Sequence, residues 1–500
     1  MTDAATFHDW QQRARQLDFR NQAFIGGKFV AAASGKTFDC INPADGTILT
    51  AVAECGEEDI NRAVTAARTA FDCGEWRDMA PRARKLVMLR FADLIDAHSD
   101  EIALLESLDV GKPIRDSTVI DAPGAARCIR WYAEAIDKIY DEIAPTPGGT
   151  LGMITREPVG VVACIVPWNF PILMAAWKIG PALAAGNSVI LKPSEKSPLS
   201  ALRVAELAAA AGIPDGVFNV VPGFGAVAGK ALARHLDVDC LAFTGSTLTG
   251  RQIMKDAAET NLKRVWMELG GKTPNIVFAD CPDMDAAAQA AAFGIFFNQG
   301  EMCTAGSRLL IEASIQEAFL GRVMHLADAM FPGAPLDPVT RMGAIVDTAQ
   351  LDRVMGYIAA GQTEGARLRL GGERVLTDSG GYFIAPTVFD QVDNSMKIAQ
   401  EEIFGPVLSV MTFTTPEEAL QIANASPYGL AAAAWTGNLR KAHQLARGLR
   451  AGSVWINCFD EGDMTVPFGG YKQSGNGRDK SLHAIDKYVE VKSTWMNFSL

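Results

Sequence analysis

Between about residues 155 and 290 the hydrophobic pattern of this chain switches repeatedly between two periods. Short β-branched runs alternate with alanine-rich stretches whose apolar residues recur at helical spacing. Residues 161–166 and 188–191 read as strands, 199–211 as a helix, 217–221 as a third strand and 241–243 as a fourth. A second series follows, with strands predicted at 275–278, 307–311, 407–410 and 453–457 and helices between them. The alternation predicts an α/β protein built from βαβ units around parallel sheets. Open sheets of this kind bind ligands outside the carboxyl ends of their strands, and here those ends are rich in Gly, Pro, Ser and Thr. Residues 487–495 alternate as a strand that can add to a neighbouring sheet, within the chain or across subunits. Residues 159–177 carry no charge over nearly a membrane-spanning length. Pro167, Asn169 and Pro171 interrupt them, so the prediction is a core strand, a loop and a helix.

Composition narrows the class. Five hundred residues at 48% hydrophobic and 21% charged give an ordinary globular chain with room for two or three domains. A net charge of -12 argues against nucleic acid as the main partner, because duplex binding depends on Lys and Arg neutralising phosphates. Cationic or neutral small molecules are compatible with it. The first ten residues have neither a basic start nor an apolar stretch, so no secretory signal is expected. Nine cysteines, odd in number, scattered and without a C-x-x-C pair, point to reduced thiols in the cytoplasm and to no structural metal.

One of those cysteines stands apart. Cys303 lies in a polar, glycine-punctuated break after the alanine-rich run 286–292, where a thiol can meet a ligand. Five further segments hold groups that suit it. Pro167-Trp168-Asn169-Phe170-Pro171 places an amide at the end of a predicted strand, either as an oxyanion donor or as an Asx-type turn capping its own backbone. Glu268 precedes Gly270-Gly271, glycines that let backbone approach a ligand closely; it is either a general base of raised pKa or a surface glutamate. Gly223-Phe224-Gly225 to Gly229, Phe243-Thr244-Gly245-Ser246 and Lys192-Pro193-Ser194-Glu195 each follow a strand. They can cradle phosphates and grip a ribose, or can serve as ordinary helix caps and solvated turns.

In order along the chain, Pro167-Trp168-Asn169, Lys192-Pro193-Ser194-Glu195, Phe243-Thr244-Gly245-Ser246, Glu268-Leu269-Gly270-Gly271-Lys272, Cys303, Glu401-Glu402-Ile403-Phe404-Gly405-Pro406 and Pro467-Phe468-Gly469-Gly470 resemble the NAD(P)-dependent aldehyde dehydrogenase superfamily, over nearly the whole length. The resemblance implies a Rossmann-like NAD-binding domain (1–140 and 161–271), a catalytic domain (272–475) and a small β oligomerisation element (141–160 and 476–500), assembled as a homodimer or homotetramer. It makes Cys303 the nucleophile, Asn169 the oxyanion donor, Glu268 the base for the hydrolytic water and a helper in deprotonating the thiol, and Lys178 a participant in proton movement. NAD would be held by Ile165, Pro167, Trp168, Lys192, Ser194, Glu195, Gly225, Gly229, Phe243, Thr244, Gly245, Ser246, Leu269, Glu402 and Phe404. Glu195 at a ribose hydroxyl repels a 2′-phosphate, so NADP is expected to be the weaker cofactor. Glu301 and Met302 depart from the commoner glutamine and small or apolar residue, which bears on pocket shape.

For the aldehyde, the resemblance points to Phe170, Trp177, Asp121, Asp460, Asp463 and Phe468. The acidic loop 460–463 leading into Pro467 would draw a cationic ω-aminoaldehyde. Residues 468–484 look much like bacterial γ-glutamyl-γ-aminobutyraldehyde and 4-guanidinobutyraldehyde dehydrogenases of polyamine and arginine breakdown. Betaine aldehyde, succinic semialdehyde or broad aliphatic aldehydes, and a fold that has lost turnover, are the competing expectations.

Overall fold

A computed structural model describes residues 5–499. The first sheet takes in Ala23–Ile25, Lys28–Val30, Val161–Ile165, Ser188–Lys192, Phe218–Val220, Cys240–Thr244 and Arg264–Glu268. Its five long-range strands are parallel, and the hairpin of the first two adds antiparallel at one edge. Val161–Ile165 is buried at every position because helices cover both faces. Val161, Ala163 and Ile165 pack with Ile60, Val64 and Ala67 of the helix Glu57–Cys73. Val162 and Cys164 point the other way, toward the cluster that holds Phe91, Tyr132 and Ile179. From Val161–Ile165 the chain steps outward through Ser188–Lys192 to Phe218–Val220, then returns to its other side with Cys240–Thr244 and Arg264–Glu268. That reversal opens a crevice at the carboxyl end of Val161–Ile165.

The second sheet runs Arg367–Leu370, Thr387–Asp390, Val407–Phe413, Arg308–Glu312, Pro274–Val277, Ala431–Trp435 and Ser453–Ile456 in spatial order, parallel except for its first strand. The third sheet is small and antiparallel: Val489–Asn497, Thr150–Pro158 and Glu142–Ala144. The tail strand therefore pairs inside its own chain, from Val489 opposite Pro158 to Asn497 opposite Thr150. It remains an edge, with Val491, Trp495 and Met496 exposed.

The predicted helix at 199–211 is the helix Leu199–Ala211. Residues 159–177 form the strand, a loop and the start of the helix Pro171–Ala184. Among the described residues no helix is long and apolar enough to cross a membrane.

Candidate active site

The segments at the carboxyl ends of the two large sheets meet at one cavity of about 460 Å³. Strand register sets the first wall. Ile165 lies opposite Lys192 and Phe243, and Thr244 opposite Glu268, so the turns after four parallel strands leave the sheet side by side. Pro167, Trp168, Asn169 and Phe170 line the cavity, with Thr244, Gly245, Ser246, Glu268 and Leu269. Ser246 N-caps the helix Thr247–Ala258, its hydroxyl accepting from the Thr249 amide at 3.2 Å, which turns that helix's positive end toward the opening. Phe243 is buried beneath Gly245, whose absent Cβ would stand 2.5 Å from the ring.

Cys303 comes from the other side, on the loop that follows the helix Met284–Phe296. Asn298 and Gln299 both have left-handed backbones, with φ of 47° and 58°, and the turn they make throws Cys303 back toward the first sheet. Hydrogen bonds hold this strained loop. The Asn169 amide donates to the Glu301 carbonyl at 2.9 Å, and the Asn298 amide to the Asn169 carbonyl at 3.2 Å. One Asn169 N–H is thus spent on placing the loop, and the second is available to the cavity. Burial and the carboxyls of Glu402, Asp460 and Glu268 push the Cys303 thiol far above its ordinary range, so it needs a base to become a nucleophile.

Glu268, on the same cavity wall, is a candidate with both oxygens free. It is 4% exposed, and neither of its oxygens has a hydrogen-bond partner among the described residues. Burial first, then Asp479, raises its carboxyl well above the usual range, with Lys178, Lys487 and Arg478 opposing. Lys178 itself does not reach the cavity wall. It is buried and pairs with Asp479 at 3.0 Å, and the other oxygen of Asp479 takes Lys487. Burial works to raise the Asp479 carboxyl, yet the two ammoniums hold it low.

The glycines after Glu268, of which Gly270 lines the cavity, also make room for their neighbours. A Cβ on Gly270 would meet Glu402 at 2.1 Å, and one on Gly271 would meet the Cys303 carbonyl at 2.3 Å. The Gly271 amide donates to Glu402 at 3.1 Å. Phe404, at φ 61°, packs edge-on against Trp168 with centroids 5.2 Å apart. Lys192, Ser194, Glu195, Gly225, Gly229 and Ile165 stand along the same sheet edge but outside the cavity wall. Lys192 and Glu195 pair at 3.1 Å, and a Cβ at Gly225 or Gly229 would meet nothing.

Two expected substrate residues are misplaced. Asp121 is fully buried and bound to Lys112 at 2.7 Å, and Lys112 in turn presses its ammonium 3.8 Å from the Phe170 ring centroid. A carboxylate at 0% exposure cannot greet a ligand; Asp121 braces the back of Phe170 instead. Asp463 is turned outward and holds its own loop by accepting from the Thr465 amide and hydroxyl at 2.9 and 2.6 Å. Asp460, Phe170, Trp177 and Phe468 do line the cavity, with Met302. Asp460 accepts from Thr304 at 3.2 Å, and burial raises its pKa to about 6. Glu301 points away, its carboxyl accepting from the Val346 amide at 3.1 Å, so it fastens the Cys303 loop without shaping the pocket.

Sequence reasoning passed over Lys480, which lines the cavity, and the Asp479–Lys487 pair. The only signal was the charge run Arg478-Asp479-Lys480, which looks like solvated surface.

Comparison with known proteins gives this geometry a context. The E. coli K12 NADP/NAD-dependent aldehyde dehydrogenase PuuC is 56% identical over 488 residues, 98% of either chain. The solved structure of P. syringae AldA indole-3-acetaldehyde dehydrogenase, in complex with NAD+ and IAA, is 62% identical, with a TM-score of 0.98 over 99% of this chain and 100% of that one. A γ-glutamyl-γ-aminobutyraldehyde dehydrogenase from Burkholderia cenocepacia is 61% identical, with a TM-score of 0.97 over 99% of this chain and 100% of its own. The aldehyde dehydrogenase family model matches residues 29–494. With the thiol, amide and carboxyl facing one cavity between two parallel sheets, and the match running across both, this chain belongs to the aldehyde dehydrogenase family.

Proposed function

We propose that the chain oxidises an aldehyde to its carboxylic acid with NAD, through a covalent thioester on Cys303. The observation that carries this reading is the convergence of Cys303, Asn169 and Glu268 on one cavity. The residues present fit a dinucleotide: a row of strand-end turns, open space over Gly225 and Gly229, and a helix N-terminus at Ser246 beside the cavity. Lys192 and Glu195 would hold the adenosine ribose, Ser246 the pyrophosphate, and Glu402 with Phe404 the far ring. When bound, the nicotinamide supplies the hydride acceptor.

The steps left to the protein follow from its geometry. Glu268, once deprotonated, takes the thiol proton, and Cys303 Sγ forms a bond to the aldehyde carbon. The free Asn169 N–H and the Cys303 backbone N–H stabilise the oxyanion. Loss of hydride leaves a thioester; Glu268 gives its first proton up to solvent, then removes one from the water that cleaves the thioester, and returns that proton to the departing thiolate as the acid is released. Asp479, clamped by Lys178 and Lys487, lies close enough to Glu268 to bias its charge, which supports a part for Lys178 in proton movement at one remove.

Asp460 and Glu461 on the wall, with Trp177 and Phe468 beside them, favour a short aldehyde with an amino, guanidino or γ-glutamylamino group at its far end. The name of the Burkholderia cenocepacia relative, a γ-glutamyl-γ-aminobutyraldehyde dehydrogenase, supports that class. The unpaired cysteines fit a reducing cytoplasm, and the exposed edge Val489–Asn497 fits assembly into a homodimer or homotetramer. The test is NADH formation with butanal, 4-aminobutanal, 4-guanidinobutanal and succinic semialdehyde. Preference for the amino and guanidino aldehydes is expected; preference for the anionic one refutes the substrate class, and no NADH from any refutes the activity.

A further inference from the structure

Lys480 enters the aldehyde side of the cavity from an unusual backbone. Lys480 and Ser481 have φ of 58° and 51°, two successive left-handed residues that both carry side chains. The bend sends Asp479 inward to Lys178 and Lys487 and leaves Lys480 facing the cavity. Its ammonium lies 4.6 Å from the Trp177 ring centroid and 5.7 Å from that of Phe468. Asp460, Asp463 and Asp479 act on the ammonium through space, but their hydrogen bonds go elsewhere: Asp460 to Thr304, Asp463 to Thr465 and Asp479 to the two buried lysines. None of them forms an ion pair with Lys480 among the described residues. An ammonium positioned by two rings and left without an acceptor on a cavity wall has its hydrogen bonds free for an anion. Two negative groups, Asp460 and Glu461, belong to the same wall. The entrance therefore presents both signs of charge within one funnel.

We propose that Lys480 anchors a carboxylate at the far end of the substrate, so that the preferred aldehydes carry an α-amino acid head, its carboxylate on Lys480 and its ammonium on the Asp460 and Glu461 side. The proposal deepens the amino-aldehyde reading above and rests on it. A bare ω-ammonium engages only the Asp460 and Glu461 side and leaves Lys480 without a partner, whereas a zwitterionic head satisfies both signs.

Lys480→Met tests this, since methionine keeps apolar contact with Trp177 and Phe468 while removing the charge; Lys480→Arg serves as the conservative rescue. With γ-glutamylaminobutanal, 4-aminobutanal and butanal as substrates, Lys480→Met is expected to raise the KM ratio of the first to butanal at least tenfold and to lower that of the second, with the change in KM and not kcat. Lys480→Arg should restore the ratio to within threefold. Unchanged ratios, or equal rises for all three aldehydes, overturn the proposal. Calorimetric binding of the unreactive analogue N-γ-glutamylbutylamine gives a readout independent of turnover: a tenfold loss of affinity in Lys480→Met is expected, and equal binding, or none to either protein, overturns it. Absence of turnover with every aldehyde but charge-dependent binding of the analogue would count against the activity while leaving Lys480 as the carboxylate anchor.

Discussion

Gly271→Ala is a small substitution with a calculable consequence. The new Cβ would stand 2.3 Å from the Cys303 carbonyl oxygen, and 3.1 Å from the Leu430 Cβ on another side. Relief to even 3.0 Å requires the carbonyl to retreat by about 0.7 Å, and Leu430 bars the opposite escape. The carbonyl belongs to the nucleophile itself. Its loop is tied at Asn169, at Gly343 through Gln299 and at Val346 through Glu301, so the strain cannot be absorbed far away. A misplacement of roughly 1 Å costs on the order of 10²-fold in rate. A drop of about 30- to 100-fold in kcat/KM is therefore expected, equivalent to about 2–3 kcal/mol of transition-state stabilisation. The assay is the initial rate of NADH formation, with the melting temperature followed alongside. Gly321→Ala is the control: that glycine lies on the helix Gln316–Asp328 with nothing within 4 Å, and alanine there should keep the rate and hold or raise the melting temperature. A Gly271→Ala enzyme within threefold of the parent would refute the account of why this glycine is needed.

Three other outcomes follow from the site. Cys303→Ala should abolish turnover and leave NAD binding measurable by fluorescence quenching; surviving activity would mean another nucleophile. Glu268 acts as a base only without its proton, and its pKa is raised, so kcat should climb with pH over a range well above that of an ordinary carboxylate; Glu268→Gln should lower kcat by about 10²–10⁴-fold and erase that climb. Asp479→Asn removes a negative neighbour of Glu268, so any remaining pH limb should move to lower pH. It also leaves Lys178 and Lys487 buried and unpaired, at a cost of about 3–5 kcal/mol in chemical denaturation.

What the sequence made legible, and what it hid, depended on whether a residue's neighbours were near in the chain. The strand Val161–Ile165 and the helix Leu199–Ala211 announce themselves by local periodicity. The strand Ala431–Trp435 does not, because four alanines suggest a helix; it is a strand because Pro274–Val277 and Ser453–Ile456 flank it on both sides. Cys303, Asn169 and Glu268 stood out as polar groups in loops or at a strand end beside glycines and prolines. Asp121 was misread because the lysine that neutralises it, nine residues away, changes its meaning only once both are buried. Lys480 was overlooked for the opposite reason: its charge run looks exposed, and only the two left-handed residues turn it inward.

The return of the C-terminal segment to the first sheet also has a consequence for biosynthesis. Ser474 accepts from the Leu269 amide through its carbonyl and donates its hydroxyl to the Gly270 carbonyl, 204 residues earlier, while Asn476 accepts from the Met267 amide at 2.8 Å. Glu268 sits between these contacts. At a translation rate of about 5–20 residues per second, the base waits roughly 10–40 s for the segment that fixes it. A nascent chain can complete its first sheet and expose the Cys303 thiol in that interval, but Glu268 stays unfixed until residues 474–476 have left the ribosome.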